Sequence, residues 1–203
     1  YPVIALSFKD VKEPTWAQCA AKLTRLLSRN LRELDRRGQL DLENTGDIDR
    51  VRQLSRDTTP IDAFSDMLVD VSLWCHRATG ERAIILIDEY DAPLHAAWQH
   101  GYLDEALPFF RGFLSGGLKD NNHLFKGVLT GILRVAKEGI FSGLNNLETV
   151  SIISTKMADR FGFTSGEVAE LCRAVGAGAE MHTIEAWYNG YRFGAAPPQT
   201  MFN

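Results

Sequence analysis

Long apolar runs are missing from this chain. The longest, Ala83 to Ile87, is five residues, against the roughly 20 that a membrane-spanning helix needs. The amino-terminal stretch also lacks the basic start and apolar block of a secretory signal. Cysteine is scarce. Cys19, Cys75 and Cys172 are odd in number, far apart and placed on apolar helix faces, which argues against a disulfide or zinc framework and for buried thiols in a reducing cytosol. Neither sign of charge dominates: 22 basic residues against 26 acidic ones leave a net charge of −4, too balanced to call for bulk nucleic acid or an anionic membrane as partner. His76, His95, His100, His123 and His182 show no metal-ligand spacing with the cysteines or with one another, so zinc is not expected. No Ser, His and Asp grouping sits in a nucleophile elbow, and there is no repeat or low-complexity tract. The chain opens on Tyr1 inside a strand-like run and ends at Asn203 after a loop, as a piece of something longer would.

What is present suits one or two globular domains: 45% of the residues are hydrophobic and 24% charged. Pro2 to Phe8 is short, apolar and β-rich, a buried strand candidate. Trp16, Ala20, Leu23, Leu27, Leu31 and Leu34 recur at spacings of three and four up to Gly38, which predicts a long amphipathic helix with a glycine stop. Its other face carries Lys22, Arg25, Arg29, Arg32, Arg36 and Arg37, read as a solvated face. A short helix is expected around Ile48 to Leu54. Thr59 and Pro60 then read as the N-cap and first position of a helix whose buried stripe runs Ile61, Phe64, Leu68, Val71 and Cys75 to a stop at Gly80.

The strand 83–88 follows, then an apolar helix from Leu103 to Leu118 and a strand from Phe125 to Gly131, with a third return to the sheet at Thr149 to Ile153. Helices alternate with nearly continuous apolar strands, the pattern of an α/β protein whose parallel sheet is covered on both faces. Residues 1–154 are expected to form this core and 155–203 a small helical, lid-like subdomain. In the latter, Thr164 and Glu167 form a capping box, and Asn189-Gly190 suits a tight reversal.

One stretch asks for an explanation. AIILIDEYDAP, residues Ala83 to Pro93, runs from five apolar side chains directly into Asp88, Glu89 and Asp91. In a parallel sheet, ligands bind beyond the carboxyl ends of the strands, where these acids would sit. A carboxylate held rigidly there can carry Mg²⁺ directly or through water, and a second acid beside it can polarise a water for attack on phosphorus. That is the chemistry of a Walker B strand. The plain alternative is that these are surface acids at a strand end, with Asp91 capping the helix that follows. The partner motif GxxxxGK[ST] does not occur: Gly112 and Gly117 have its separation, but Leu118 stands where the lysine belongs.

Taken together, YPVIALSFKD, IILIDEYDAPL, KGVLTGILRVAKEGIFSGLNNL, FGFTSGEV and WYNGYRFG resemble one family over essentially the whole chain: the AAA-ATPase-like proteins, often followed by a PD-(D/E)XK nuclease-like domain. The resemblance implies ATP and Mg²⁺, with a phosphate loop of the RPRRFGK[ST] type ahead of the first strand. Asp88 would be the acid associated with Mg²⁺ and Glu89 the catalytic base. Thr130 would be placed like a polar sensor, with a satisfied strand-end hydroxyl as the alternative. Arg134 would neutralise charge on a terminal phosphate, whereas Lys137, Ser142 and Asn145, in the same stretch, receive no chemistry. A strand order of 5-1-4-3-2 is also implied, which would leave the strand Phe125 to Gly131 without one neighbour and make this chain less stable than one extended upstream.

The function expected is thus ATP binding and hydrolysis in the cytoplasm, the 203 residues alone being inactive, with nucleic acid reached through a downstream nuclease-like domain. Two other readings stand beside it. One is a metal-dependent nuclease built on Asp88, Glu89 and Asp91, for which Lys126 lies at the wrong end of the neighbouring strand. The other is a non-catalytic interaction domain.

Overall fold

In a computed structural model of the chain, residues 1–132, 147–195 and 199–202 are described. The chain divides into two units, residues 1–146 and 147–203.

The first unit is α/β. Strands β1 (Val3–Ser7), β2 (Ala83–Asp88) and β3 (Leu124–Leu129) form a parallel sheet in the order β1-β2-β3. This is the relative order of the 4-3-2 portion of the expected arrangement. Register aligns Ser7 with Asp88, and Leu129 with Ile87. Because successive side chains point to opposite faces, Ile4 and Leu6 of β1 and Ala83, Ile85 and Ile87 of β2 share one face and are buried.

Helices cover that face. Helix α1 (Trp16–Arg36) begins where the Thr15 hydroxyl accepts the Gln18 N–H, and Gly38, at a φ of 64°, follows its end. Of the predicted stripe, Leu23, Leu27, Leu31 and Leu34 are buried, Trp16 and Ala20 are partly buried, and Cys19 is enclosed beside them. Helices α3 (Met67–Thr79) and α5 (Leu103–Leu118) pack on one another and complete the core, with the Phe110 ring meeting Phe8 edge-on at 6.2 Å. Each fully buried Leu or Phe of this kind contributes about 1.5–3 kcal/mol of transfer free energy, so β1 and β2 are held chiefly from this side. Helices α2 (Thr45–Leu54) and α4 (Ala92–His100) are the other α-helices among this unit's described residues. Burial raises the Cys19 and Cys75 thiols to about 11, in keeping with inert core sulfurs.

The opposite face differs. Among the described residues, Val3, Leu86 and Val128 stay 43%, 37% and 40% exposed, so the expected double cover is met on one side.

Three expectations give way. Thr59 caps no helix. Its hydroxyl donates to Gln53 O at 2.6 Å, tying the end of α2 to the loop, while Pro60 leads into a single 3₁₀ turn (Ile61–Phe64) and α3 starts afresh at Met67. Thr149 to Ile153 is not a strand. Ser154 N–H donates back to Ser151 O at 2.8 Å, turning the chain, and Ile152 O accepts one bond from Gly194 N–H at 2.7 Å; an apolar β-branched window forms a strand only where a full ladder accepts it.

The third correction lies in the second unit, where residues 189–193 are strand β4 (Asn189–Phe193), antiparallel to β5 (Gln199–Phe202). Asn189-Gly190 therefore makes no reversal. Gly190, at a φ of 131°, sits where the register slips between Asn189 and Tyr191, so the glycine serves a bulge. Helix α6 (Ser165–Ala174) carries the Thr164–Glu167 capping box as the sequence indicates. Val168 and Cys172 of α6 pack with Phe202, and Met181 and Ile184 of α7 (Met181–Tyr188) close over them. The unit is a small helix-and-hairpin body rather than purely helical.

Candidate functional site

The apolar residues of β2 bring Asp88 to the carboxyl edge of the sheet, with a neighbour on each side. From β1, the Ser7 hydroxyl donates to Asp88 Oδ2 at 3.3 Å. From the end of β3, the Thr130 hydroxyl donates to Asp88 Oδ1. Sequence reasoning named Asp88 and Thr130 but missed Ser7. It stands at the end of the first strand, and only the register of β1 on β2 reveals that it faces the carboxylate.

Glu89 is unusual in its backbone. Its φ of 49° lies in the left-handed region, which costs a non-glycine residue roughly 1–2 kcal/mol. Thr130 helps to offset that cost. Its hydroxyl oxygen accepts the Glu89 N–H at 3.3 Å while its own proton goes to Asp88, and its carbonyl accepts the Tyr90 N–H at 3.1 Å. Glu89 O in turn accepts the Ala92 N–H, closing the turn into α4. Thr130 thus joins the two acids through a hydroxyl that both donates and accepts.

Asp91 has a different occupation. It is the residue before α4, yet its side chain makes no capping bond. Its carbonyl accepts the His95 N–H at 2.8 Å, whereas its carboxylate, in a residue only 5% exposed, accepts the Ile132 N–H at 2.9 Å. Asp88 is exposed and Asp91 buried, and among the described residues no three His, Cys, Asp or Glu side chains converge to hold a metal. Arg134, together with Lys137, Ser142 and Asn145, lies outside the described residues.

The donor set at Asp88 suits a hard divalent cation with a water shell. Ser7 and Thr130 each occupy one position on one carboxylate oxygen, and each oxygen has a second lone pair. A cavity of about 420 Å³ between β1 and α1 adjoins this group through Ser7 and carries Arg29 and Arg37 on its wall. Arg37 is committed to Glu33, whose carboxyl the flanking Arg36 and Arg37 hold down at about 2. The cavity of about 280 Å³ in the second unit is walled by Phe163, Val168, Ile184 and Phe202 and offers mostly apolar surface.

No helix of the described residues is long and apolar enough to cross a membrane. No solved structure matches the chain. It is 33% identical over 119 residues to a protein of Azotobacter chroococcum mcd 1 described as an uncharacterized protein in the vnfD 5′ region. That alignment covers 58% of this chain and 23% of the relative, so the chain spans less than a quarter of the relative's length. A family model described as predicted AAA-ATPase matches residues 1–141, and on that match the chain belongs to the AAA-ATPase-like family.

Proposed function

We propose that the carboxyl edge of β2 is the hydrolytic half of an ATP site. The observation that carries this reading is the Thr130 hydroxyl, which donates to the Asp88 carboxylate and accepts the Glu89 N–H, fixing two adjacent acids at the ligand-binding edge of a parallel sheet. Asp88, exposed and oriented by Ser7 and Thr130, would hold Mg²⁺ directly or through water. Bound Mg²⁺ would offset the charge of the β- and γ-phosphate oxygens. Glu89 would orient a water and accept its proton as that water attacks phosphorus. Thr130 keeps both acids in place, and the strained Glu89 backbone belongs with function, since such conformers persist where surrounding bonds over-determine them.

The reading requires a phosphate-binding loop from outside residues 1–203, so it concerns the protein at its natural length. There, Arg134 is the proposed partner of the terminal phosphate. Residues 155–203 are the proposed lid, and any engagement of nucleic acid would come through a downstream nuclease-like domain. The test is Mg-ATP binding and turnover by the natural-length protein and its Asp88→Ala and Glu89→Gln variants. Retained binding with lost turnover in Glu89→Gln, and weakened Mg²⁺-dependent binding in Asp88→Ala, are the expected results. Metal-dependent DNA cleavage without nucleotide would replace this reading with the nuclease one, and absence of both activities would leave an interaction domain.

A further inference from the structure

We propose that Asp91 is a positioning residue, a buried latch that fixes the turn after β3 onto the carboxyl end of β2 so that Thr130 can hold Asp88 and Glu89; the proposal rests on the reading of those two acids given above.

The two chain segments are stitched together step by step. Thr130 N–H donates to Ile87 O at 2.9 Å, its hydroxyl joins Asp88 and Glu89, and its carbonyl takes the Tyr90 N–H. One residue further on, ladder pairing has ended and Gly131 offers no side chain. Ile132 does not anchor the turn by burial either, since it is 94% exposed. The Asp91 carboxylate supplies the next tie by accepting the Ile132 N–H. Thr130 therefore lies between a ladder bond on one side and the Asp91 bond on the other, and its torsions are fixed from both.

Gly131 is the second half of the latch. A Cβ placed there would lie 2.5 Å from Asp91 Oδ1, 2.8 Å from Asp91 Cγ and 2.9 Å from Tyr90 Cε1. Real Cβ atoms do not approach so closely, so a side chain at 131 would have to push the Asp91 carboxyl group and the Tyr90 ring aside. Desolvating a carboxylate is costly and is tolerated where hydrogen bonds compensate. A helix cap could be supplied by an exposed Asp, Asn or Ser. The buried Asp91 is directed across the sheet edge instead, away from its own helix.

The latch can be opened from either side. In the natural-length protein, Asp91→Ala removes the acceptor, Gly131→Ala forces the surfaces apart, and Asp91→Asn keeps an amide oxygen that can accept the Ile132 N–H. Displacing catalytic groups by about an ångström can cost 10²-fold. Asp91→Ala and Gly131→Ala should therefore lower kcat about 30-fold or more, while the Kd for a fluorescent ATP analogue and the kcat of Asp91→Asn each stay within about threefold of the parent. Amide exchange in peptides spanning residues 129–132 should accelerate in the Ala variants and not in Asp91→Asn.

Parental kcat in Asp91→Ala would overturn the proposal. So would equal damage in Asp91→Asn, which would place the function in the charge, or unchanged exchange in both Ala variants. If Asp91→Ala fails to fold, Gly131→Ala and Asp91→Asn still decide it. If the parent neither binds nor hydrolyses ATP, the reading of Asp88 and Glu89 falls on its own, and exchange at 129–132 alone decides whether the latch exists.

Discussion

The two ends of β2 sit in one sheet and are built to different purposes. At the amino end, Ala83 N–H donates to His123 O at 2.7 Å and Ile84 N–H to Pro2 O at 2.8 Å. Beyond them, the Tyr1 and Phe125 rings stack at 4.3 Å, and the His76 and His123 Nδ1 atoms meet at 2.9 Å. At the carboxyl end, Asp88 is exposed and the Glu89 backbone is strained. Both ends have a non-glycine residue with positive φ nearby, Asp120 ahead of β3 and Glu89 after β2. Aspartate tolerates that conformation because its short side chain bonds locally, whereas glutamate gains no such relief. The amino end is organised for cohesion. The carboxyl end accepts strain in order to present Asp88 and Glu89.

The sharpest way to break this contrast is to change Glu89 alone. Glu89→Gln keeps the shape and removes the base, and turnover by the natural-length protein should fall about 100-fold or more, the scale of general-base catalysis, with the thermal midpoint unchanged. Steady-state hydrolysis and a melting curve check both halves. Turnover within a few-fold of the parent would remove Glu89 from the chemistry. Thr130→Val comes next. It strips Asp88 of a donor and Glu89 N–H of its acceptor, so kcat should fall about 10-fold and stability by about 1 kcal/mol. Loss of stability with full activity would favour the strand-end reading of Thr130 over the sensor reading.

Glu89→Gly turns the strain argument into a measurement. Glycine adopts a φ of 49° freely, so this variant should abolish turnover while raising stability by up to about 1 kcal/mol. A destabilised Glu89→Gly would mean that the local bonds, rather than the rest of the site, set that conformation. The same substitution at Asp120 should gain less, because aspartate is already at ease there.

These contrasts also explain what could be read from the sequence. The α1 stripe, the apolar β2 and the Thr164 capping box were legible because each is local: three- and four-residue spacing, a continuous run, a three-residue box. Asp88 and Glu89 were legible for the same reason, as acids at the end of a run. Ser7 and the Asp91–Ile132 bond were not, since each joins residues far apart in the chain through a parallel register that no local pattern encodes. The misreadings have the same origin. Thr149 to Ile153 has strand composition but turns after a single bond from Gly194 N–H instead of joining a ladder, and Thr59 has the chemistry of a cap but is followed by a 3₁₀ turn, its hydroxyl donating back to Gln53 O. Asn189-Gly190 supplies the residues of a tight turn, and the pairing of β4 with β5 uses its glycine for a bulge instead.

The smallest effect expected lies at the amino end, and it tests whether that end is held by neutral contacts. Two Nδ1 atoms at 2.9 Å need one N–H donor and one lone-pair acceptor, so a single proton fits between them. Burial, and after it the neighbouring His76 and Arg77, lowers the pKa of His123 from the ordinary 6.5. The folded state therefore binds this proton less readily than the unfolded chain does. By linkage, the contribution is fully present above pH 6.5 and is lost as the pH falls below it towards the lowered folded value. Denaturant midpoints measured from pH 7.5 down to pH 5 should fall more steeply for the parent than for His123→Gln, which cannot take up the proton. Parallel pH profiles for the two proteins would show that the imidazole contact contributes nothing to holding the strands at this end, and would leave the aromatic stack and the ladder to do so.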